Sequence, residues 1–156
     1  MAIPISNGVK IITTNKYARS SYDVIDKFEA GLVLTGPEIK SIRAGQISLK
    51  GSYGRLRNGE LWLTGAHIAP YHQGTPANYD PLRPRKLLLH KREANKLLGK
   101  INEQRLTLLP LAIYLKHNVA KLEIALARGL KKYDKRAKIK AKETDRDIQR
   151  KMRSKK

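Results

Sequence analysis

Residues 55–63 read Arg-Leu-Arg-Asn-Gly-Glu-Leu-Trp-Leu, and this stretch carries the strongest local signal in the chain. Asn58 and Gly59 both tolerate the positive φ angles that a two-residue hairpin turn requires. The flanking residues alternate between polar and apolar side chains, as strands with one buried face do. We therefore predict a tight antiparallel hairpin.

Alternation predicts further strands. Apolar residues occupy every second position from Phe28 to Leu34, in a strand that begins near Tyr22. Two more strands are predicted over residues 105–114 and 121–127, with a turn at 116–118. Several short strands favour a mainly β fold, and the OB-like antiparallel barrel is the nucleic-acid-binding member of that class.

Two short helices and one loop complete the prediction. A helix is expected to follow Thr35 and to end before Gly45, with Pro37 in its first turn. Apolar residues at helical spacing predict a second helix over 91–101. Four prolines and one glycine between residues 70 and 84 predict a surface loop.

The charge predicts a polyanionic partner. Lys and Arg outnumber Asp and Glu by 33 to 13, which gives a formal net charge of +20. Nucleic acid is the leading candidate because each neutralised phosphate releases a counterion. Membrane binding would need an amphipathic helix with a broad apolar face, and no segment supplies that face well. We expect nucleic acid and no membrane.

Cysteine usage and the N-terminal residues favour a cytoplasmic protein. The chain has no cysteine, which removes disulfides, thiolate chemistry and Cys-type zinc sites. Residues 1–10 lack the apolar run of a signal peptide. No stretch approaches the roughly 20 apolar residues of a transmembrane helix.

No set of residues with the spacing of a catalytic or metal site is visible. The four histidines, at 67, 72, 90 and 117, lie in separate segments without a ligand spacing. Ser, Asp and Glu form no recognisable triad, and a glycine-rich phosphate loop is missing. We predict a protein that is not an enzyme and that uses no cofactor and no metal.

The composition changes after Gly129. Residues 128–156 hold 14 Lys and Arg against 4 Asp and Glu, a net of +10 and half of the whole charge. Their apolar residues are too sparse to offset the entropy of ordering the segment alone. We predict a barrel domain at 1–129 and a basic tail at 130–156 that is intrinsically disordered alone and helical, if ever, on its partner.

Several features of the sequence have two interpretations. Basic clusters at 83–86 and 90–92 flank Leu87-Leu88-Leu89, either as a solvated rim or as a nucleic-acid contact. Residues 15–19 place Tyr17, whose ring can stack on a base, between cations. Glu29 either pairs with a neighbouring Lys or accepts a hydrogen bond from a base edge or 2′-hydroxyl. Tyr133 interrupts a cationic run, and a tail that served only solubility would not need this aromatic residue.

The chain resembles the small protein B (SmpB) family, the SsrA-binding proteins that accompany transfer-messenger RNA in the rescue of stalled bacterial ribosomes. The resemblance covers nearly the whole chain. Five motifs carry it: Asn-Lys-Tyr-Ala-Arg at 15–19, Phe-Glu-Ala-Gly-Leu at 28–32, Glu-Ile-Lys-Ser-Ile-Arg-Ala-Gly at 38–45, Arg-Lys-Leu-Leu-Leu-His at 85–90 and Tyr-Asp-Lys-Arg at 133–136.

The resemblance implies a barrel that binds the tRNA-like domain of that RNA and a tail that enters the ribosomal decoding centre and the mRNA path. Two positions depart from the family pattern: His90 stands where Asn is often found, and residues 130–132 permute the usual Lys-Lys-Leu order. The implied partners are transfer-messenger RNA and the ribosome, and we expect the free protein to be a monomer. The alternatives are a ribosomal structural protein, a general RNA chaperone or, third, a nuclease.

Motifs and resemblance together predict two sets of functional residues. The RNA-binding set is Asn15, Lys16, Tyr17, Arg19, Glu29, Lys40, Arg43, Arg85, Lys86, Leu88 and His90. The ribosome-acting set in the tail is Lys131, Lys132, Tyr133, Asp134, Lys135, Arg136, Lys138 and Lys140.

Overall fold

The computed structural model describes residues 8–72, 74–104 and 106–129, together with Arg146, Ile148 and Arg150. Within these residues the helices are α1 (Lys16–Ser21), α2 (Gly36–Arg43) and α3 (Lys91–Gln104). The strands are β1 (Val9–Thr14), β2 (Tyr22–Leu32), β3 (Ile47–Ser48), β4 (Tyr53–Arg57), β5 (Glu60–Thr64), β6 (His67–Ile68), β7 (Arg85–Leu88), β8 (Thr107–Lys116) and β9 (Val119–Gly129). The predicted mainly β architecture with short helices is confirmed.

The main sheet is antiparallel and its pairings form a cycle. The strand order is β1-β8-β4-β5-β7-β2-β9, and β8 also pairs with β9. Strand β8 pairs with β9 along one of its edges. Along its other edge it pairs with β4 at Leu108 and with β1 at residues 112–116. Such a cyclic order leaves few free edges and is what a barrel requires.

The core lies inside this cycle. Leu122, Ile124 and Leu126 of β9 are almost wholly buried, as their predicted alternation requires. Further along β9 the opposite face is buried too, because Ala125 and Ala127 pack with Ala18 of α1. A continuous apolar run in β8 reflects the same burial on both faces, since α1 packs near Leu109 and Leu111 on the side that faces away from the core.

Turns and caps follow the local sequence. Asn58 and Gly59 have φ angles of 52° and 76°, and the hairpin pairs Arg57 with Glu60 as predicted. Between β8 and β9, His117 and Asn118 form the predicted turn, with φ angles of 51° and 65°. At α2, Thr35 and Glu38 form a reciprocal capping box, which explains why the helix begins there.

Some element boundaries differ from the prediction. Helix α3 continues one turn beyond 101, and β2 ends at Leu32, after which the Val33 N–H donates to the Lys86 carbonyl at 3.0 Å. Sequence patterns did not predict β1 or α1, because both depend on contacts with β8. The predicted separate tail at 130–156 lies outside the described residues, apart from the three named above, and the division into domains stays a prediction.

Candidate nucleic-acid interface

A cleft of about 320 Å³ opens where β2, β7 and β9 meet at one end of the sheet. Its lining residues are Glu29, Gly31, Leu88, Leu89, His90 and Lys121. Backbone pairing brings them together, since Gly31 pairs with Leu88 on one side and with Lys121 on the other. The structure therefore places Glu29, Leu88 and His90, which come from two distant motifs, around one concavity.

Gly31 lies directly beside Leu88 where β2 pairs with β7. A Cβ atom built on Gly31 would lie 3.4 Å from Leu88 Cβ and 3.8 Å from the Leu88 carbonyl oxygen, which is ordinary van der Waals contact. Glycine within a strand commonly marks a place where another backbone comes near. The glycine of the 28–32 motif thus lines the cleft without a side chain of its own.

Leu88 presents an apolar surface inside a charged cleft. Leu87 points into the core, and the next side chain, Leu88, is 50% exposed because successive residues of a strand face opposite sides. Lys121 and His90 lie beside it and supply hydrogen-bond donors. An apolar patch for a base or ribose, bordered by donors for phosphate or a base edge, suits unpaired RNA nucleotides.

Glu29 forms the wall between this cleft and a second depression, lined by Lys27, Phe28, Glu29, Tyr114 and Glu123. Its side chain is 40% exposed. The Tyr114 hydroxyl donates a hydrogen bond to Oε2 of Glu29, and Lys116 Nζ lies 3.7 Å from the same oxygen. Burial, followed by the hydrogen bond to Glu29, raises the Tyr114 pKa, so this hydroxyl stays protonated and remains a donor.

Arg85 is not available for the predicted RNA contact, because its side chain is 0% exposed. Its guanidinium donates to Glu38 Oε2 at 2.8 Å and to the Ala66 and Pro81 carbonyls at 2.7 and 3.0 Å. A buried guanidinium must be paired and hydrogen-bonded in this way to be tolerated. Arg85 therefore holds α2, the loop before β7 and β7 together, and its placement on the RNA surface is corrected.

Glu38 is the carboxylate at the centre of this network, and Arg83 donates a second ion pair to its Oε1 atom. Burial acts to raise the Glu38 pKa, but hydrogen bonds from Arg83, the Thr35 N–H and Arg85 outweigh burial and lower it to about 2. The carboxylate is therefore ionised throughout the physiological pH range. The network positions β7 from the inside, while the cleft residues face outward.

The predicted contacts at residues 15–19 separate in the fold. Asn15 is buried and caps α1, accepting from the Ala18 N–H at 3.2 Å and donating to the Pro110 carbonyl at 3.0 Å. Its interpretation as an RNA contact is therefore corrected to a structural role. Lys16 is exposed, and Arg19 Nη2 lies 3.8 Å from Glu123 Oε1.

Tyr17 is 58% exposed and lines a different pocket of about 300 Å³ with Tyr22 and Tyr53. Tyr22 and Gly31 lie at opposite ends of β2, about 30 Å apart along an extended strand. The tyrosine pocket and the Glu29 cleft are thus separate features of the surface.

Of the remaining cations in the predicted set, Lys86 lies next to the cleft, whereas Lys40 and Arg43 lie on α2. Lys86 pairs with Glu60 at 3.2 Å in the depression next to Leu88 and Leu89. Lys40 and Arg43 are exposed on α2, where Lys40 Nζ lies 5.5 Å from the Tyr71 ring centroid and Arg43 donates to the Asn118 carbonyl at 3.2 Å. Neither is among the six described residues that line the cleft.

The predicted ribosome-acting residues from Lys131 to Lys140 all lie outside the described part of the chain, so the structure does not place them. Among the residues that the structure describes, no group of three or more His, Cys, Asp or Glu could hold a metal ion. No helix in the described segments is long and apolar enough to cross a membrane.

Sequence reasoning missed three residues at this site: Lys121, Tyr114 and Lys116. Each lies in a predicted strand or turn, but its nearness to Glu29 depends on how β8 and β9 register against β2. The alternation of Lys121 and Glu123 with buried residues was a signal that both face outward. No local pattern indicated which strand lies beside them.

Comparison with known proteins assigns a family to this architecture. The family model described as "SmpB protein" matches residues 12–154. The SsrA-binding protein of Enterococcus faecalis is 55% identical over 141 residues, which cover 90% of this chain and 92% of the relative. That of Desulfitobacterium hafniense is 52% identical over 145 residues, and that of Trichormus variabilis is 50% identical over 150 residues, with at least 93% of each chain covered.

A solved structure supports the same assignment. One chain from work on tmRNA-SmpB at the center of the bacterial ribosome superimposes with a TM-score of 0.63 and is 45% identical in sequence. The match covers 80% of this chain and 91% of that chain. Sequence and fold therefore point to one family over nearly the whole length.

Proposed function

The chain belongs to the SmpB protein family, and from this membership we propose that it binds transfer-messenger RNA and acts with it on stalled bacterial ribosomes. The observation that carries the proposal is the cleft in which Glu29, Leu88 and His90 converge. These residues come from two separate family motifs, at 28–32 and 85–90, and they share no structural task in the core. Recognition of an external ligand explains why they meet at the surface.

Chemistry at the cleft suits the tRNA-like domain of that RNA. Leu88 offers an apolar contact for a ribose or a base that is not paired, and Lys121 and His90 offer donors to phosphate or a base edge. Glu29 accepts hydrogen bonds from base N–H groups or 2′-hydroxyls and repels phosphate. A chain of net charge +20 would bind any RNA electrostatically, so this acidic residue contributes specificity instead of bulk attraction.

The tail has a separate role in the proposal. Residues 130–156 would bind the decoding centre and the mRNA path of a ribosome that has run out of message. If helical, the 23 residues from Asp134 to the C-terminus would extend about 35 Å at 1.5 Å per residue. A cationic segment that folds on binding suits a channel lined by ribosomal RNA. The barrel then stands in for the anticodon arm that the tRNA-like domain lacks.

The protein itself performs no chemical step in this proposal. Transfer-messenger RNA supplies the alanine and the template for the degradation tag, while the protein contributes binding and position. The cytoplasm, where ribosomes translate, is its place of action, and the free protein is a monomer.

Recovery of bound RNA tests the proposal directly. The full-length protein is isolated from bacterial cells before and after ribosomes are stalled on messages without stop codons, and the bound RNA is sequenced. We expect one abundant tRNA-like RNA, with ribosomes recovered mainly after stalling. Constant recovery with every ribosome would instead support a structural ribosomal protein, and recovery of all RNA classes would support a general chaperone.

A matched pair of variants tests the cleft. Glu29→Ala is compared with Asp23→Ala, an exposed carboxylate near the other end of the same strand, because both changes raise the net charge equally. We expect Glu29→Ala to weaken binding of the tRNA-like domain at fixed salt, and Asp23→Ala to leave it equal or tighter. Tighter binding by both variants would mean that electrostatics alone governs the affinity.

A further inference from the structure

Tyr114 and Glu29 are joined across the sheet although their strands are not neighbours. Strand β9 lies between β2 and β8, and in it Glu123 pairs with Glu29 while Lys121 pairs with Tyr114. The Tyr114 side chain crosses β9 to reach Glu29, and its hydroxyl donates to Oε2. One hydrogen bond thus connects β8 to β2 across β9.

Both contacts to Glu29 go to the same oxygen. The Tyr114 hydroxyl and Lys116 Nζ are both placed at Oε2, on the side of the second depression. Glu29 also borders the cleft that holds Leu88 and His90. A carboxylate anchored through one oxygen keeps its second oxygen, Oε1, as an acceptor in a defined position.

We propose that Tyr114 is a positioning residue for RNA recognition: its hydroxyl orients the Glu29 carboxylate so that Oε1 accepts a hydrogen bond from a base-edge N–H or a ribose 2′-hydroxyl. The inference rests on the proposed function, in which the cleft binds the tRNA-like domain. Tyr114 is 5% exposed, so its ring is fixed by packing and does not itself contact the RNA. Its effect is exerted through Glu29.

Anchoring matters because a free glutamate side chain samples several rotamers, and a ligand that uses one of them must bear the cost of ordering it. The Tyr114 hydroxyl removes that cost before the RNA arrives. The opposite relationship is the competing explanation: Glu29 would serve only to satisfy a buried phenol. In that case, loss of the hydroxyl would change stability without changing the affinity of the folded protein.

A double-mutant cycle separates the two relationships. Full-length wild type, Tyr114→Phe, Glu29→Ala and the double variant are titrated with a labelled tRNA-like domain and with an unrelated structured RNA of equal length, at one salt concentration. Thermal unfolding of each variant is measured in the same buffer. Tyr53→Phe is the matched control, since it removes a tyrosine hydroxyl from the separate tyrosine pocket.

We expect Tyr114→Phe to weaken binding of the tRNA-like domain by about tenfold, as loss of a hydrogen bond to a charged group would. Binding of the unrelated RNA and binding by Tyr53→Phe should stay unchanged. In the Glu29→Ala background, the same Tyr114 substitution should cost less than about twofold, because nothing remains to be positioned.

Two results would overturn the inference. Wild-type affinity of Tyr114→Phe would show that the hydroxyl serves only the fold, and an equal loss in the presence and absence of Glu29 would show that it acts by another route. Failure of the proposed function looks different. Wild type itself would then show no preference for the tRNA-like domain over the unrelated RNA, and both proposals would fall.

Discussion

Glu38 and Arg85 form an ion pair with 2.6 Å between Glu38 Oε2 and Arg85 Nη2, and neither side chain is exposed to solvent. Residues 83–86 are the most basic stretch before the C-terminal region, yet one of these cations faces the interior. The pair connects α2 to β7, which carries Leu88 to the cleft. Stability and the shape of the RNA surface are therefore linked through one buried contact.

Breaking this pair should be costly. We expect Glu38→Gln to lower the free energy of unfolding by about 3–5 kcal/mol at pH 7, because it leaves the Arg85 charge buried without its counterion. The exposed pair Lys86–Glu60, at 3.2 Å, provides the control. Glu60→Gln should cost less than about 1 kcal/mol. Urea unfolding measures the free energy of unfolding of both variants. Equal losses would contradict the conclusion that burial makes the Glu38–Arg85 pair the more important one.

Acid should weaken the fold through the same carboxylate. The Glu38 pKa is lowered from 4.5 to about 2, so the native state favours the ionised form. This contribution is fully present above about pH 5 and is lost as the pH falls towards 2, to an extent on the order of 3 kcal/mol. Chemical unfolding between pH 6 and pH 2.5 should show a steeper loss for wild type than for Glu38→Gln. Parallel curves would rule out Glu38 as the group responsible.

Closure of the sheet at β4 and β8 should depend on the absence of a side chain at Gly54. A Cβ atom there would clash with Leu108 Cδ2 and would lie 2.6 Å from Leu108 Cγ and 2.9 Å from Leu108 Cβ, within a buried contact. We expect Gly54→Ala to destabilise the protein by about 1–3 kcal/mol through overpacking. Gly99→Ala is the control, because Gly99 lies within α3 with nothing within 4 Å of the added atom. That change should stabilise by about 0.5–1 kcal/mol.

Removal of residues 130–156 should separate binding from action on the ribosome. The truncated protein should fold and should bind the tRNA-like domain within about tenfold of wild type, roughly 1.4 kcal/mol. Tagging of peptides on stalled ribosomes should be abolished in a reconstituted system. A greater loss of affinity would make the tail part of the primary RNA site. The full-length protein with Glu29→Ala is the complementary control, since it should lose RNA affinity and keep its tail.

Order within the tail should matter beyond its charge. Replacing Asp134-Lys135-Arg136 by Lys-Asp-Arg preserves composition and net charge but exchanges the positions of the carboxylate and the ammonium group. We expect near-normal recruitment to ribosomes with transfer-messenger RNA and a large defect in the first peptidyl transfer to its alanine. Recruitment and dipeptide yield are measured separately at matched salt. A wild-type yield would leave a tail that acts only as a cationic tether.

Local patterns determined much of the fold. Asn58 and Gly59 identified the hairpin, Thr35 and Pro37 identified the start of α2, and the alternation at 121–127 identified β9. Each of these signals comes from neighbouring residues, whose φ preferences or side-chain spacing constrain the backbone directly. Family motifs also brought Glu29, Leu88 and His90 into the candidate site before their nearness was known.

Only the tertiary structure decided which polar side chains face the solvent. Arg85 and Asn15 belong to polar motifs and looked like RNA contacts, but their partners lie 47 residues away at Glu38 and 95 residues away at Pro110. Tyr114 reaches Glu29 across 85 residues of sequence for the same reason. Burial and hydrogen bonding depend on which strands the closed sheet brings together, and a local pattern carries no information about such distant partners.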